Sequence, residues 1–271
     1  MNKAPKGMYV PIITPFREDQ SIDFEAFKKV IDYVIEGGVD GLLITGSTGE
    51  YHTMTLEEQK EVIKVGCEYV AGRKPIIAGV GKSTAKATIE LANFAADCGA
   101  EYGLVLPPYY QPTTRQGVID FFKEIAAGSR LGIMIYDNPL ATGVELEPDL
   151  IYELAQVDNI VALKDTSDMI HTCQVLAKTR TLDKEFSVFQ GYEHTILPAM
   201  AVGARKLGGT PLGAAIVGDP DGEPGSTGLL YAAVTDGKQV WAKTLNLPGS
   251  QATPDVIRAF ACLQVFHMLR L

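Results

Sequence analysis

Short apolar runs alternate with longer amphipathic stretches through the first three quarters of the chain. Seven runs recur without a polar face: MYVPI from Met8, GLLIT from Gly41, PIIAG from Pro75, YGLVL from Tyr102, GIMIY from Gly132, IVALK from Ile160 and FSVFQ from Phe186. Strands of this kind are covered on both faces, as in a parallel sheet. The stretches between them carry helical periodicity and helix boundaries. Asp23 precedes FEAFKKVIDYVIEGG, where Phe24, Phe27, Val30, Ile31 and Val34 share one face and Gly37-Gly38 ends the helix. Thr55 precedes LEEQKEVIKVGCEYVAG and is spaced from Glu58 as in a capping box. Ser83 opens TAKATIELANFAADCG, which Gly99 closes.

Strand followed by helix, repeated in this way, predicts a right-handed parallel α/β array. Two architectures compete for it. A doubly wound dinucleotide binder carries G-x-G-x-x-G after its first strand, and PIITPFRED has no glycine there. Regular units without a linker favour the (β/α)8 TIM barrel, whose active site lies at the carboxyl ends of its strands. Residues 1–205 are expected to supply barrel units one to seven. Residues 206–271 are expected to hold the eighth-strand region and an atypical C-terminal segment of the same domain.

Composition narrows the function classes. With 271 residues, 46% hydrophobic and 21% charged, the chain is that of a folded globular protein. Its 24 Lys+Arg against 33 Asp+Glu leave a charge of −9, which argues against a nucleic-acid surface. Cys67, Cys98, Cys173 and Cys262 show no ligand or disulfide spacing and read as buried, reduced thiols. His52, His171, His194 and His267 are dispersed, so no metal site is expected and they read as surface or supporting groups. MNKAPKGMYVPIITPF lacks a signal-peptide core and no membrane-length apolar run occurs, so a cytoplasmic location is expected.

The strand ends concentrate chemically capable groups: Thr14, Gly46 to Glu50, Gly79, Tyr109-Tyr110, Tyr136 to Pro139, Lys164 to Ser167, and Gly191. Lys164 ends the apolar strand IVALK. Desolvation lowers a lysine pKa, and a neutral amine can attack a ketone to form a Schiff base. The alternative is a rim lysine that reaches solvent, paired to Asp165. Tyr136 closes the neighbouring strand and is placed to relay protons; its alternative is a tyrosine packed at the mouth. The Gly46 to Glu50 turn can converge backbone N–H groups and two hydroxyls on a carboxylate, or be simply a tight turn. Asp165 and Glu50 read as groups that orient neighbours.

At these residues the chain resembles the pyruvate-dependent class I aldolases of the dihydrodipicolinate synthase and N-acetylneuraminate lyase family. The motifs that carry the resemblance are GLLITGSTGEYHTMTLEEQKEVI, LVLPPYYQP, the Tyr-x-x-Pro of YDNP and the lysine of VALKDTS, over roughly residues 8–204. The resemblance implies a TIM barrel in which Lys164 forms a Schiff base with pyruvate and Tyr136 is the general acid/base. Ser47 and Thr48 would hold the pyruvate carboxylate, Ser47 also relaying protons, and Gly191 matches a glycine whose carbonyl faces the keto acid. Tyr110 matches a tyrosine that reaches into a neighbouring subunit's site, which implies a homodimer or homotetramer. No cofactor or metal is implied, and the partners are a 2-keto acid and an aldehyde.

Two departures shape the expectation. An arginine that binds the aspartate semialdehyde carboxylate in the synthase branch is replaced here by Ala141, and LATGV is more like the sugar-acid branches. A lyase or aldolase for a 2-keto-3-deoxy sugar acid is therefore expected. The alternatives are dihydrodipicolinate synthase proper, a dehydratase using the same imine, and a non-catalytic binder of small acids. Beyond about residue 205 the family pattern gives way to Gly- and Pro-rich sequence. LGAAIV from Leu212 is spaced as the eighth strand, GLLYAAV and KQVWAKTL read as a hairpin about Asp236-Gly237, and DVIRAFACLQVFHML reads as a helix.

Overall fold

Seven parallel strands lie side by side in chain order, each joined to the next through a helical crossover. The computed structural model describes residues 3–111, 113–192, 213–218, 229–235 and 240–246, the last three by their backbone. The strands are β1 (Tyr9–Pro11), β2 (Gly41–Ile44), β3 (Ile76–Gly79), β4 (Tyr102–Val105), β5 (Gly132–Asp137), β6 (Ile160–Asp165) and β7 (Ser187–Gln190). Each of the seven apolar runs forms a strand. The helices are α1 (Phe24–Glu36), α2 (Leu56–Val70), α3 (Ala85–Cys98), α4 (Arg115–Gly128), the short α5 (Pro139–Thr142), α6 (Pro148–Ala155) and α7 (Met169–Thr179).

Local chemistry sets the helix ends. The Asp23 carboxylate accepts from Ala26 N at 3.0 Å, and the Thr55–Glu58 capping box is complete, so orphan N–H groups are satisfied at both starts. For α3 the cap is Thr84, one residue beyond the expected Ser83; its hydroxyl accepts from Ala87 N at 3.2 Å. Gly99 ends that helix at φ +103°, a conformation open to glycine because it has no Cβ.

Two apolar layers hold the sheet. Phe27 and Ile31, one turn apart on α1, are almost wholly buried, as are Ile63 of α2, Leu91 of α3 and Phe122 of α4. Each such side chain contributes roughly 1.5–3 kcal/mol. The other face of the sheet encloses Leu43, Ile77, Leu104, Met134 and Tyr136, with Tyr9 and Phe189 packed against them. Tyr9 and Phe189 come from the two edge strands and meet edge to face at 5.5 Å, so the sheet is curled. Cys67 is buried, and burial pushes its thiol up to about 12; Cys98 and Cys173 are half-buried, against the expectation of full burial, and all three are free.

The eighth strand is not where the sequence placed it. β8 (Gly213–Gly218) exists, but it pairs antiparallel with β9 (Leu229–Thr235), which pairs antiparallel with β10 (Val240–Asn246) in a separate three-stranded sheet. Among the described residues the parallel sheet therefore has seven strands. The reason is local: only a short Gly-, Pro- and Asp-rich stretch separates β8 from β9, which suits an antiparallel return and leaves no room for a crossover helix. The β9–β10 hairpin is as expected. Its Asp236-Gly237 turn, the helix from Asp255, His194, His267 and Cys262 lie outside the described residues. The chain divides into two compact units, Met1–Asp165 with Leu182–Phe189, and Thr166–Thr181 with the chain from Gln190 on. No helix among the described residues is long and apolar enough to cross a membrane.

Candidate active site

The carboxyl ends of β2 to β6 gather the site. Lys164 pairs in register with Tyr136 across β6 and β5, and its ammonium stands 4.4 Å from the centroid of the Tyr136 ring. A half-buried cation over a phenol face is held by the ring quadrupole. Tyr136 is 5% exposed and accepts a hydrogen bond from Asn138 Nδ2 at 2.9 Å. The amide orientation of Asn138 is set by its other end, since Oδ1 faces Ala141 N as the cap of α5. The phenol therefore receives from Asn138 and keeps its own hydrogen for another partner.

A cleft lies beside Tyr136, lined also by Ser47, Tyr51, Gly79 and Gly81. Its floor is built around Thr45, which holds the left-handed φ of +50°. That conformation is costly for a β-branched residue. Thr45 is kept there by its hydroxyl, which donates to Gly79 O and accepts from Gly79 N, both at 3.1 Å. The turn that follows is pinned from β1: Thr14 donates to Gly49 O at 2.9 Å. Ser47 and Thr48 are both exposed, and of the two Ser47 enters the cleft lining while Thr48 stands outside it.

Tyr51 is the residue that the sequence reading missed. It begins a 3-10 turn, Tyr51–Thr53, immediately after Glu50 at φ +56°. Its carbonyl accepts from Gln59 Nε2, and the Gln59 carbonyl oxygen in turn accepts from Lys82. Gln59 is 2% exposed, and desolvation lowers the Lys82 pKa. Burial first, with the Tyr109 phenol next, pushes the Tyr51 phenol up to about 12. Its position directly after the Gly-Ser-Thr-Gly-Glu turn was the available signal.

The remaining expected residues are spread out. Tyr110 is 84% exposed and takes no part in its own chain's cleft lining. Gly191 follows β7, spanned by a hydrogen bond from Tyr192 N to Gln190 Oε1 at 3.0 Å. Asp165 is fully buried beside Asp137, on the opposite face of the sheet from Lys164. His52 is exposed, but His171 is buried and bonded to Ser167 Oγ at 2.8 Å, so it supports rather than decorates the surface.

Comparison with known proteins adds the decisive observation. The sequence profile of the dihydrodipicolinate synthetase family matches residues 4–212. The chain belongs to that family. The 4-hydroxy-tetrahydrodipicolinate synthase of Methanosphaera stadtmanae is 38% identical over 204 residues, covering 74% of this chain and 68% of the relative. The crystal structure of dihydrodipicolinate synthase from Aquifex aeolicus superposes with a TM-score of 0.69 at 36% identity, covering 73% of this chain and 67% of that one. YagE, a prophage protein of the dihydrodipicolinic acid synthase family from E. coli K12 in complex with pyruvate, gives 0.71 at 32% identity over the same shares. The chain thus spans about two thirds of the length of the relatives it matches.

Proposed function

We propose that this protein is a class I enzyme that makes or breaks a carbon–carbon bond at C3 of pyruvate through a Schiff base on Lys164. The observation that carries the proposal is the placement of the Lys164 ammonium over the Tyr136 ring, at the carboxyl end of a parallel sheet of this family. The amine adds to the C2 carbonyl and water leaves, giving an iminium that draws electrons from C3. Loss of a C3 proton yields an enamine, which adds to the aldehyde carbon while Tyr136 gives a proton to the aldehyde oxygen. Hydrolysis frees the product. Ser47, which lines the cleft, holds the pyruvate carboxylate through its hydroxyl and the backbone N–H groups of its turn, Thr48 contributing through its backbone. Tyr110, being exposed, is free to enter the site of a neighbouring copy in a homo-oligomer. The reaction belongs to the cytoplasm.

For the aldehyde partner, the names of the relatives support synthase chemistry with aspartate semialdehyde. Ala141 supports the second reading, a 2-keto-3-deoxy sugar acid, because it supplies no cation for a carboxylate. The YagE complex supports pyruvate as the keto acid. Borohydride reduction with a panel of 2-keto acids, followed by mass mapping, tests the mechanism: pyruvate must reduce onto Lys164 and not onto Lys164→Ala. An adduct on the alanine variant, or none on the parent chain, overturns it. Turnover of aspartate semialdehyde against release of pyruvate from a sugar acid then separates the two partners, and pyruvate binding with neither identifies a binder without catalysis.

A further inference from the structure

We propose that Thr45 is a positioning residue for the keto acid: its hydroxyl takes the strand-end place of the Gly46 N–H and so releases the backbone N–H groups of residues 46–49 for a carboxylate. The inference rests on the Schiff-base reading above and adds to it a residue that does not itself react. Where β2 meets β3, Leu42 N donates to Pro75 O at 3.1 Å. Donors of a parallel ladder recur at every second residue, so in this register the Gly46 N–H would meet Gly79 O. That bond is not made. The Thr45 hydroxyl donates to Gly79 O at 3.1 Å instead, sharing its hydrogen with Ile44 O at 2.8 Å, and accepts from Gly79 N at 3.1 Å.

The hydrogen bonds of the turn that follows are one-sided. Its carbonyls are occupied: Gly46 O accepts from Tyr51 N at 3.4 Å, Ser47 O from Glu50 N at 3.1 Å, and Gly49 O from the Thr14 hydroxyl at 2.9 Å. Among the described residues the N–H groups of Gly46, Ser47, Thr48 and Gly49 meet no acceptor. Gly46 and Ser47 line the cleft, so this run of consecutive donors supplies the positive side that a carboxylate needs there.

The backbone of Thr45 shows why a hydroxyl stands at this position. At φ +50° a glycine would carry no steric cost, whereas a β-branched side chain is an outlier. Such strain persists where the side chain supplies what glycine lacks, and here it supplies both a donor and an acceptor to the end of β3. The carboxylate of the keto acid is unchanged from substrate to enamine. A residue that positions its donors therefore acts equally on every bound state, and its effect falls on affinity and not on the limiting rate.

Borohydride trapping on the full chain, followed over a range of pyruvate concentrations, separates half-saturation from the limiting rate. Thr45→Val keeps the shape and removes the hydroxyl; it should raise half-saturation by roughly tenfold or more and change the limiting rate by less than about twofold. Thr45→Ser keeps the hydroxyl and should return half-saturation to within about threefold of the parent. Half-saturation of Thr45→Val within about twofold of the parent overturns the proposal. So does a Thr45→Ser protein as impaired as Thr45→Val, or a limiting rate that falls as far as the affinity. If Thr45→Val does not fold, Thr45→Ala decides by the same criteria. Absence of trapping in the unmodified chain removes the Schiff-base reading itself, and the role of Thr45 with it; trapping that is indifferent to Thr45 removes that role alone.

Discussion

A methyl group added at Gly79 should be among the most damaging small changes in this protein. A Cβ there would stand 2.0 Å from the Thr45 carbonyl oxygen and 2.8 Å from its carbon. Both are backbone atoms, so no rotamer change relieves the overlap, and the ends of β2 and β3 must part by more than about 1 Å to restore ordinary contact. That movement breaks the reciprocal hydrogen bonds between Thr45 Oγ1 and Gly79. Overpacking a closed core costs about 1–3 kcal/mol. Each buried hydrogen bond adds about 0.5–1.5 kcal/mol, so the total is about 2–6 kcal/mol.

At roughly 2–4 °C per kcal/mol for chains of this class, Gly79→Ala should melt at least ~4 °C below the parent by circular dichroism. Pyruvate binding should weaken as well, because Thr45 carries the turn that places Ser47 in the cleft. A Gly79→Ala protein that melts within ~2 °C of the parent would refute the claim that the rigid Thr45–Gly79 contact governs this end of the sheet.

Asn138→Ala removes both the α5 cap and the donor to Tyr136, so a loss of about 1 kcal/mol is expected together with a fall in kcat larger than the change in KM; steady-state kinetics check the split. Thr84→Ala should cost about 1 kcal/mol and Ser83→Ala less than about 0.5, since only Thr84 caps α3; urea melts of the pair decide it. Lys164→Arg should fold as the parent does and fail to trap pyruvate, because a guanidinium does not deprotonate to a nucleophile. Glu58 is held below the usual carboxylate range by the Thr55 backbone N–H first and its hydroxyl second. Its stabilising contribution is therefore complete above that range and lost as pH falls through the depressed value. The melting gap between the parent and Glu58→Gln should be widest near neutral pH and close below ~pH 4; a gap constant down to ~pH 3 contradicts this.

Strands and caps were readable in the sequence because their signals are local. A run such as IVALK can only be buried on both faces, and Thr55 with Glu58 satisfies N–H groups within one turn. Lys164 and Tyr136 were legible for a related reason: each ends an apolar strand, and neighbouring parallel strands bring their ends together. Tyr51 was harder to read: its position after the Gly-Ser-Thr-Gly-Glu turn hints at the site, but its place in the cleft beside Tyr136 depends on strand ends far along the chain. The partner of β8 was misjudged on similar grounds. Spacing from β7 suggested a parallel neighbour, but pairing is decided by competition, and the adjacent β9 supplies a nearer antiparallel edge.

Even the pairing of Lys164 with Tyr136 is not a product of strand ends alone. Ile133 of β5 faces Ile160 of β6, yet Met134 faces Ala162, so β6 carries one extra residue at that point. Counted without the bulge, Met134 would oppose Val161, Tyr136 would oppose Leu163, and Lys164 would oppose Asp137. Because successive side chains alternate between faces, Lys164 would then share the face of Asp137, and its amine would be directed away from Tyr136. One additional residue reverses this parity for the remainder of the strand. It sets the amine over the phenol and turns Asp165 toward Asp137 on the opposite face. Bulges beside active sites commonly re-aim a side chain in this way. Here the bulge lies within the uniformly apolar IVAL, where neither periodicity nor composition marks it, although the placement of the proposed nucleophile depends on it.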